Sequence, residues 1–160
     1  MYARTAAVSL SLLAFAATSP AIQGPARTGA VATPANRIVG LWSTQGTVSG
    51  CATGVPVIQV RNNVLYHAGG TATENIAPTQ IRNQGLGVWS YDQSTGLYTT
   101  HFRFDRFANG IYSGYTIIDK EGQMSADGQE FTGPVRATLY APDGHVIVEL
   151  CGEPVSERLY

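Results

Sequence analysis

The dipeptide Asn109-Gly110, set between the runs Leu97 to Arg106 and Ile111 to Asp119, does most to narrow what this chain can become. A type I′ turn needs positive φ at both central residues, which Asn and Gly accept, and its twist matches a pair of antiparallel strands. Similar punctuation recurs along the chain. Ser94-Thr95-Gly96 separates Gly87 to Tyr91 from Leu97 to Arg106, Asp127-Gly128 precedes Phe131 to Tyr140, and Pro142-Asp143-Gly144 leads into His145 to Cys151. Upstream, Ile38 to Val48, Val57 to His67 with a bend at Arg61-Asn62-Asn63, and Thr71 to Ile76 read as strands, and a longer loop begins at Ala77-Pro78-Thr79. No run beyond Arg37 holds a helical period long enough to compete. The prediction is an all-β antiparallel up-and-down meander. Roughly eight strands must hide two sheet edges, which closure into a barrel does; a two-sheet β-sandwich is the alternative.

Residue alternation assigns faces. Phe131, Gly133, Val135, Ala137 and Leu139 alternate with Thr132, Pro134, Arg136, Thr138 and Tyr140, an apolar row against a more polar one. Pro134 cannot donate to a ladder and belongs at a bulge or an edge. If Val146, Val148 and Leu150 face inward, Glu149 faces out; the opposite register would bury it against Arg103 or Arg136.

The 160 residues allow one domain, and 13% charged against 44% hydrophobic side chains fit a soluble globule. Ten basic and eleven acidic residues leave a formal charge of -1, so no field exists to hold nucleic acid. The eighteen glycines beside a single lysine, Lys120, also favour strands over helices. Arg4 followed by the uncharged stretch Ala6 to Ala17 reads as a secretory signal, cleaved after Ala21, with Ala17-Thr18-Ser19 as the second choice of site. That stretch is too short to span a bilayer. The expected organisation is a signal peptide over 1–21, a flexible Pro/Gly-containing arm over 22–36 and one domain over 37–160. The mature protein is then periplasmic or extracellular, with no integral membrane span, as a monomer or weak homo-oligomer. Val48-Ser49-Gly50-Cys51 imitates a lipoprotein processing site, but the strand-like Gly40-Leu41-Trp42 separates it from the signal.

Gly40-Leu41-Trp42 on the first strand, with Arg158 after the last, resembles the lipocalin/calycin signature. In that superfamily the indole lies across the closed end of an eight-stranded barrel and a basic side chain from near the C-terminus covers it. Glycine lets the backbone turn tightly, and a guanidinium over an indole contributes about 0.5–2 kcal/mol. Residues 38–160 also resemble small secreted bacterial lipocalin-like proteins, through Gly69-Gly70, Gly87-Val88-Trp89, Cys51 and Cys151 besides the first motif. These relatives are largely uncharacterised. The resemblance implies a fold and no reaction.

Two cysteines in an exported chain pair by default, and a closed barrel sets first and last strands side by side, so a Cys51–Cys151 disulfide is expected. His67, His101 and His145 have no ligand spacing, and His101 is out of phase with Phe102 and Phe104; no metal site is assigned. No G-x-S-x-G elbow or nucleophile–base pair occurs, so no catalytic residue and no cofactor is assigned. Asp105, Asp119, Asp127 and Asp143 fall at strand ends and turns.

The aromatic middle strands suit the lining of an apolar cup. The expected function is an exported binding protein for a small hydrophobic or amphipathic ligand. Its contacts would be Phe102, Phe104, Tyr115 and Trp89, the last also readable as an ordinary buried aromatic. A protein-binding or protease-inhibitor barrel using the arm is the first alternative. A cyclase- or isomerase-type enzyme acting inside the barrel is the second, and an internal carboxylate beside a void would favour it.

Overall fold

Hairpin after hairpin, the chain alternates as its turn residues require. The computed structural model describes residues 34–76 and 81–160. The expected signal peptide, arm residues 22–33 and the loop start at Ala77-Pro78-Thr79 lie outside them. A 3₁₀ turn, Pro34–Ile38, leads into ten strands: β1 Gly40–Gly50, β2 Pro56–Tyr66, β3 Thr71–Ile76, β4 Gly85–Asp92, β5 Leu97–Ala108, β6 Ile111–Met124, β7 Glu130–Thr132, β8 Val135–Tyr140, β9 Val146–Gly152 and β10 Val155–Arg158. The β5–β6 turn has φ of 52° at Asn109 and 77° at Gly110, the left-handed pair that its sequence permits.

The first six strands pair in order. β6 then pairs with both β7 and β8, and β1 with both β9 and β10, so the sheet closes on itself. β7 and β8 occupy one strand position, interrupted at Gly133-Pro134, while β9 and β10 occupy another, interrupted at Glu153-Pro154. Each break holds a proline, which has no N–H to give a ladder. Ten segments thus make a ring of eight antiparallel positions.

Four expectations change. Phe131 to Tyr140 is two strands rather than one. Arg158 lies on β10, directly opposite Trp42, instead of beyond the last strand. β2 runs unbent through Arg61-Asn62-Asn63, because Asn62 and Asn63 pair in register with Thr44 and Ser43 of β1. Pro34-Ala35-Asn36, assigned to the arm, belongs to the 3₁₀ turn. Proline suits a first helical turn, and the turn is anchored by Ile38, which is fully buried and whose carbonyl accepts the Trp42 indole N–H at 2.7 Å.

Topology gives the ring two unlike ends. One carries the β2–β3, β4–β5 and β6–β7 turns with the Pro34–Ile38 turn, and it is closed. Trp42 and Phe131 are fully buried there, with ring centroids 6.5 Å apart. Tyr66 and Tyr98 meet Phe131 edge-on at 6.4 and 6.0 Å. The Arg158 guanidinium stands 4.4 Å from the Trp42 ring and donates to the Gly128 carbonyl at 2.9 Å, the Val39 carbonyl at 3.0 Å and the Arg37 carbonyl. At the other end, the Cys51–Cys151 disulfide joins residues 100 apart in sequence across the seam between first and last strands, with Cα atoms 5.0 Å apart. Among the described residues no helix is long and apolar enough to cross a membrane.

Candidate functional site

The two-residue period decides what faces the ring's interior. On β5 the inward row is Tyr98, Thr100, Phe102, Phe104 and Arg106, and on β6 it is Gly114, Thr116, Ile118 and Lys120, opposite one another in register. Tyr98 joins the floor. Above it the other residues of β5's inward row, with Val60, Val64, Ala137, Leu139 and Leu150, line a cavity of about 480 Å³. That size falls within the usual range for small-molecule sites. Two lining residues, Ile58 at 46% and Ile81 at 59% exposure, mark its mouth at the end of the β1–β2 and β5–β6 turns.

Phe102 and Phe104 lie on this wall. Trp89 and Tyr115 do not. Trp89 is half-buried at the closed end, packed against Tyr98 with centroids 6.4 Å apart, and its indole N–H donates to the His67 carbonyl at 2.9 Å. Tyr115 falls one residue out of phase with Thr116 and so points outside, stacked on Tyr140 at 4.7 Å with the Arg103 guanidinium 4.0 Å from its ring. Glu149 is also outside, paired with Arg136 at 3.2 Å. His101 and His145 face solvent beside Asp119 and Asp143, each pair at 2.6 Å. Among the described residues no three His, Cys, Asp or Glu side chains gather as a metal site.

The sequence reading missed the polar part of the wall. Glu74 on β3 is buried and receives hydrogen bonds from Arg82 at 3.1 Å and from the Asn62 amide. The Arg82 guanidinium also lies 3.9 Å from the Phe104 ring, so the cation is stacked as well as paired. Tyr66 stands beneath this pair. Burial, reinforced by the Glu74 charge, pushes its hydroxyl well above the usual tyrosine range, against a hydrogen bond with Thr100. Lys120 sits 4.2 Å above the Phe131 ring and donates to the Phe131 carbonyl at 3.2 Å, the Pro154 carbonyl at 3.2 Å and Ser156 Oγ at 3.3 Å. It forms no ion pair among the described residues, and burial pushes its ammonium down to about 8. Arg106 reaches across Gly114 to the Tyr140 carbonyl at 2.6 Å. Only glycine fits there, since a Cβ at Gly114 would lie 2.0 Å from that carbonyl oxygen.

Four buried side-chain polar atoms have no hydrogen-bond partner among the described residues: Asn62 Oδ1, Arg82 Nε, Arg106 Nε and Thr116 Oγ1. All four residues line the cavity. Buried polar groups are nearly always partnered, and leaving one unpaired costs about 1–3 kcal/mol.

Neither the family models nor the curated proteins nor the solved structures match this chain.

The signal for the missed residues was weak. Glu74 falls in the apolar phase of Ala72 and Ile76, and Lys120 sits between Asp119 and Glu121, where three consecutive charges hide which one faces in. Arg82 lies in the β3–β4 connection, where no period operates.

Proposed function

We propose that this chain is an exported, lipocalin-like binding protein that holds a small hydrophobic or amphipathic molecule inside its ring. One observation carries the reading: a cavity of about 480 Å³, floored by packed aromatic rings, walled mainly by apolar side chains and reaching solvent at one end. Ligand sites combine such walls with a few polar groups, and Asn62, Thr100 and Thr116 are among the polar residues on this wall. The Trp42–Arg158 stack supports the lipocalin-like assignment. The disulfide supports export, because structural disulfides are rare in reducing compartments. The experiment is titration of the full, oxidised chain with the uncharged fluorophore N-phenyl-1-naphthylamine, alongside native mass spectrometry of protein from its own host. Saturable one-site binding and a co-purifying small molecule are the expected results. A chain recovered empty each time and giving no saturable signal would overturn the reading.

Glu74 favours a second reading. It is a buried carboxylate beside a void, next to a tyrosine hydroxyl whose charge state it biases, so proton transfer within a bound ligand is chemically possible. On this reading the protein is an isomerase- or cyclase-type enzyme. A ligand recovered after incubation with altered chromatographic identity, unchanged by Glu74→Gln protein, would select it over carriage.

A further inference from the structure

Ionisable side chains are unevenly placed at the two ends of the ring. The turns at the closed end carry or adjoin His67, Asp92 and Asp127, and Arg37 and Arg158 reach carbonyls of the β6–β7 turn there. At the open end the pattern differs. The sequence holds no Asp, Glu, Lys, Arg or His between Arg37 and Arg61, a stretch that includes the β1–β2 turn, and none between Arg106 and Asp119, which includes the β5–β6 turn. Strand order sets these two turns on opposite sides of the mouth. The β8–β9 turn has one ionisable pair, Asp143 with His145 at 2.6 Å.

The β5–β6 turn also stands clear of the ring. β8 stops pairing with β6 at Tyr115, and on the other side the last bridge to β5 among the described residues joins Arg82 to Arg106. Past those points the two strands pair with each other, Phe107 with Tyr112 and Ala108 with Ile111, about the tip Asn109-Gly110. Ile111 is 73% exposed, more than any other large aliphatic side chain among the described residues. Tyr112 is exposed too, its ring edge-on to Phe107 at 6.3 Å. Across the mouth Val55 and Val57 are 60% and 56% exposed. Exposed apolar side chains gathered at one end mark a contact surface.

The absence of charge says what the contact is. A protein partner can meet charges with counter-charges, and its interfaces are enriched in Arg. A bilayer interface accepts aliphatic and tyrosine side chains and rejects Asp, Glu, Lys and Arg. Charge exclusion over both turns therefore favours lipid, and with no Lys or Arg at the tips nothing recruits an anionic headgroup. We propose that the open end docks on a zwitterionic phospholipid surface, with the Phe107–Tyr112 tip as its main wedge and the β1–β2 turn as a second foot. Because the β5–β6 hairpin projects past the end of β8, the Asp143–His145 pair stays on the headgroup side. The docking requires no molecule in the cavity.

The test floats the full, oxidised chain in a density gradient with vesicles of palmitoyl-oleoyl phosphatidylcholine. Binding should saturate with lipid and should change by less than about twofold with added phosphatidylglycerol or high salt, since no cation contributes. Ile111→Asp should weaken partitioning at least about tenfold, whereas Leu86→Asp, at a similarly exposed side chain on β4, should leave it unchanged. Val57→Asp should give a smaller loss. Ile111→Trp supplies a readout that keeps the native fold: its emission should shift to the blue with vesicles and be quenched by brominated acyl chains. A chain that never floats, or floats only with phosphatidylglycerol present, would overturn the proposal. Equal losses from Leu86→Asp and Ile111→Asp, or an unquenched Trp at position 111, would remove the tip from the contact. A lipid-free dimer that Ile111→Asp converts to monomer would mean that a second copy covers the tip, which also defeats the lipid assignment.

Discussion

The two ends of the ring are built from the same alternating strands and differ in what their inward rows leave unfinished. At the closed end large rings fill the space, and the polar atoms of Trp42, Lys120 and Arg158 reach named acceptors. At the open end space remains, and the wall carries all four of the unpartnered buried polar atoms among the described residues. Even the seam between first and last strands is held differently. A cation stacked on an indole joins β1 to β10 below, and a covalent bridge joins the end of β1 to β9 above. Packing surplus at one end lets the other stay hollow without losing the fold.

Replacing one aromatic residue at each end breaks this comparison most directly. Trp42→Ala should cost about 3–5 kcal/mol in urea unfolding, through the cavity it opens and the stranded Arg158. Phe104→Ala should cost less than about half as much, because its half-buried ring borders existing space, while weakening binding of the fluorophore. Equal stability losses would erase the distinction between floor and wall. Removing the bridge by Cys51→Ser with Cys151→Ser should cost about 2–4 kcal/mol, measured by thermal and urea unfolding. A negligible loss would mean that hydrogen bonding alone holds the open end of the seam.

A smaller effect sharpens the boundary between the ends. Lys120 has a native pKa lowered to about 8, below its unfolded value, so between those values the unfolded chain binds the extra proton. Stability should therefore rise with pH from about 8 toward about 10.4, by at most ~1.4 kcal/mol per pH unit. Below that window both states carry the proton and the burial penalty is present in full. The difference between wild-type and Lys120→Met stability profiles isolates this slope. A flat difference would place Lys120 in a wetter setting than its hydrogen bonds indicate.

Much of the meander is legible in the sequence because turns and alternation are local. Asn109-Gly110 marks its hairpin, and the apolar row ending in Ala137 and Leu139 marks the inner face of β8. Pro134 reads as a bulge or an edge, yet its effect, division of one strand position into two segments, depends on how β6 is shared between them. The site is less legible. Its decisive side chains break the binary pattern: Glu74, Lys120 and Arg106 occupy inward positions where apolar residues are expected. Tyr115 misled for the converse reason, since an aromatic ring on the outer face has the same one-letter signature as one inside. Burial of a charge is compensated by partners distant in sequence, and a single chain read residue by residue does not contain those distances.

The seam also has a meaning in time. β1 meets β9 and β10, so the strand made first completes its pairing with strands made last. Until Arg158 has left the ribosome, or crossed the membrane if the chain is exported, the Trp42 indole lacks its cation and β1 offers an open edge. The local β5–β6 hairpin can form early, whereas the floor must wait for the far end of the chain. Such long-range closure is slow relative to hairpin formation. During that interval β1 is paired with β2 on one edge and waits on the other, so of its two edges one is completed early and one last.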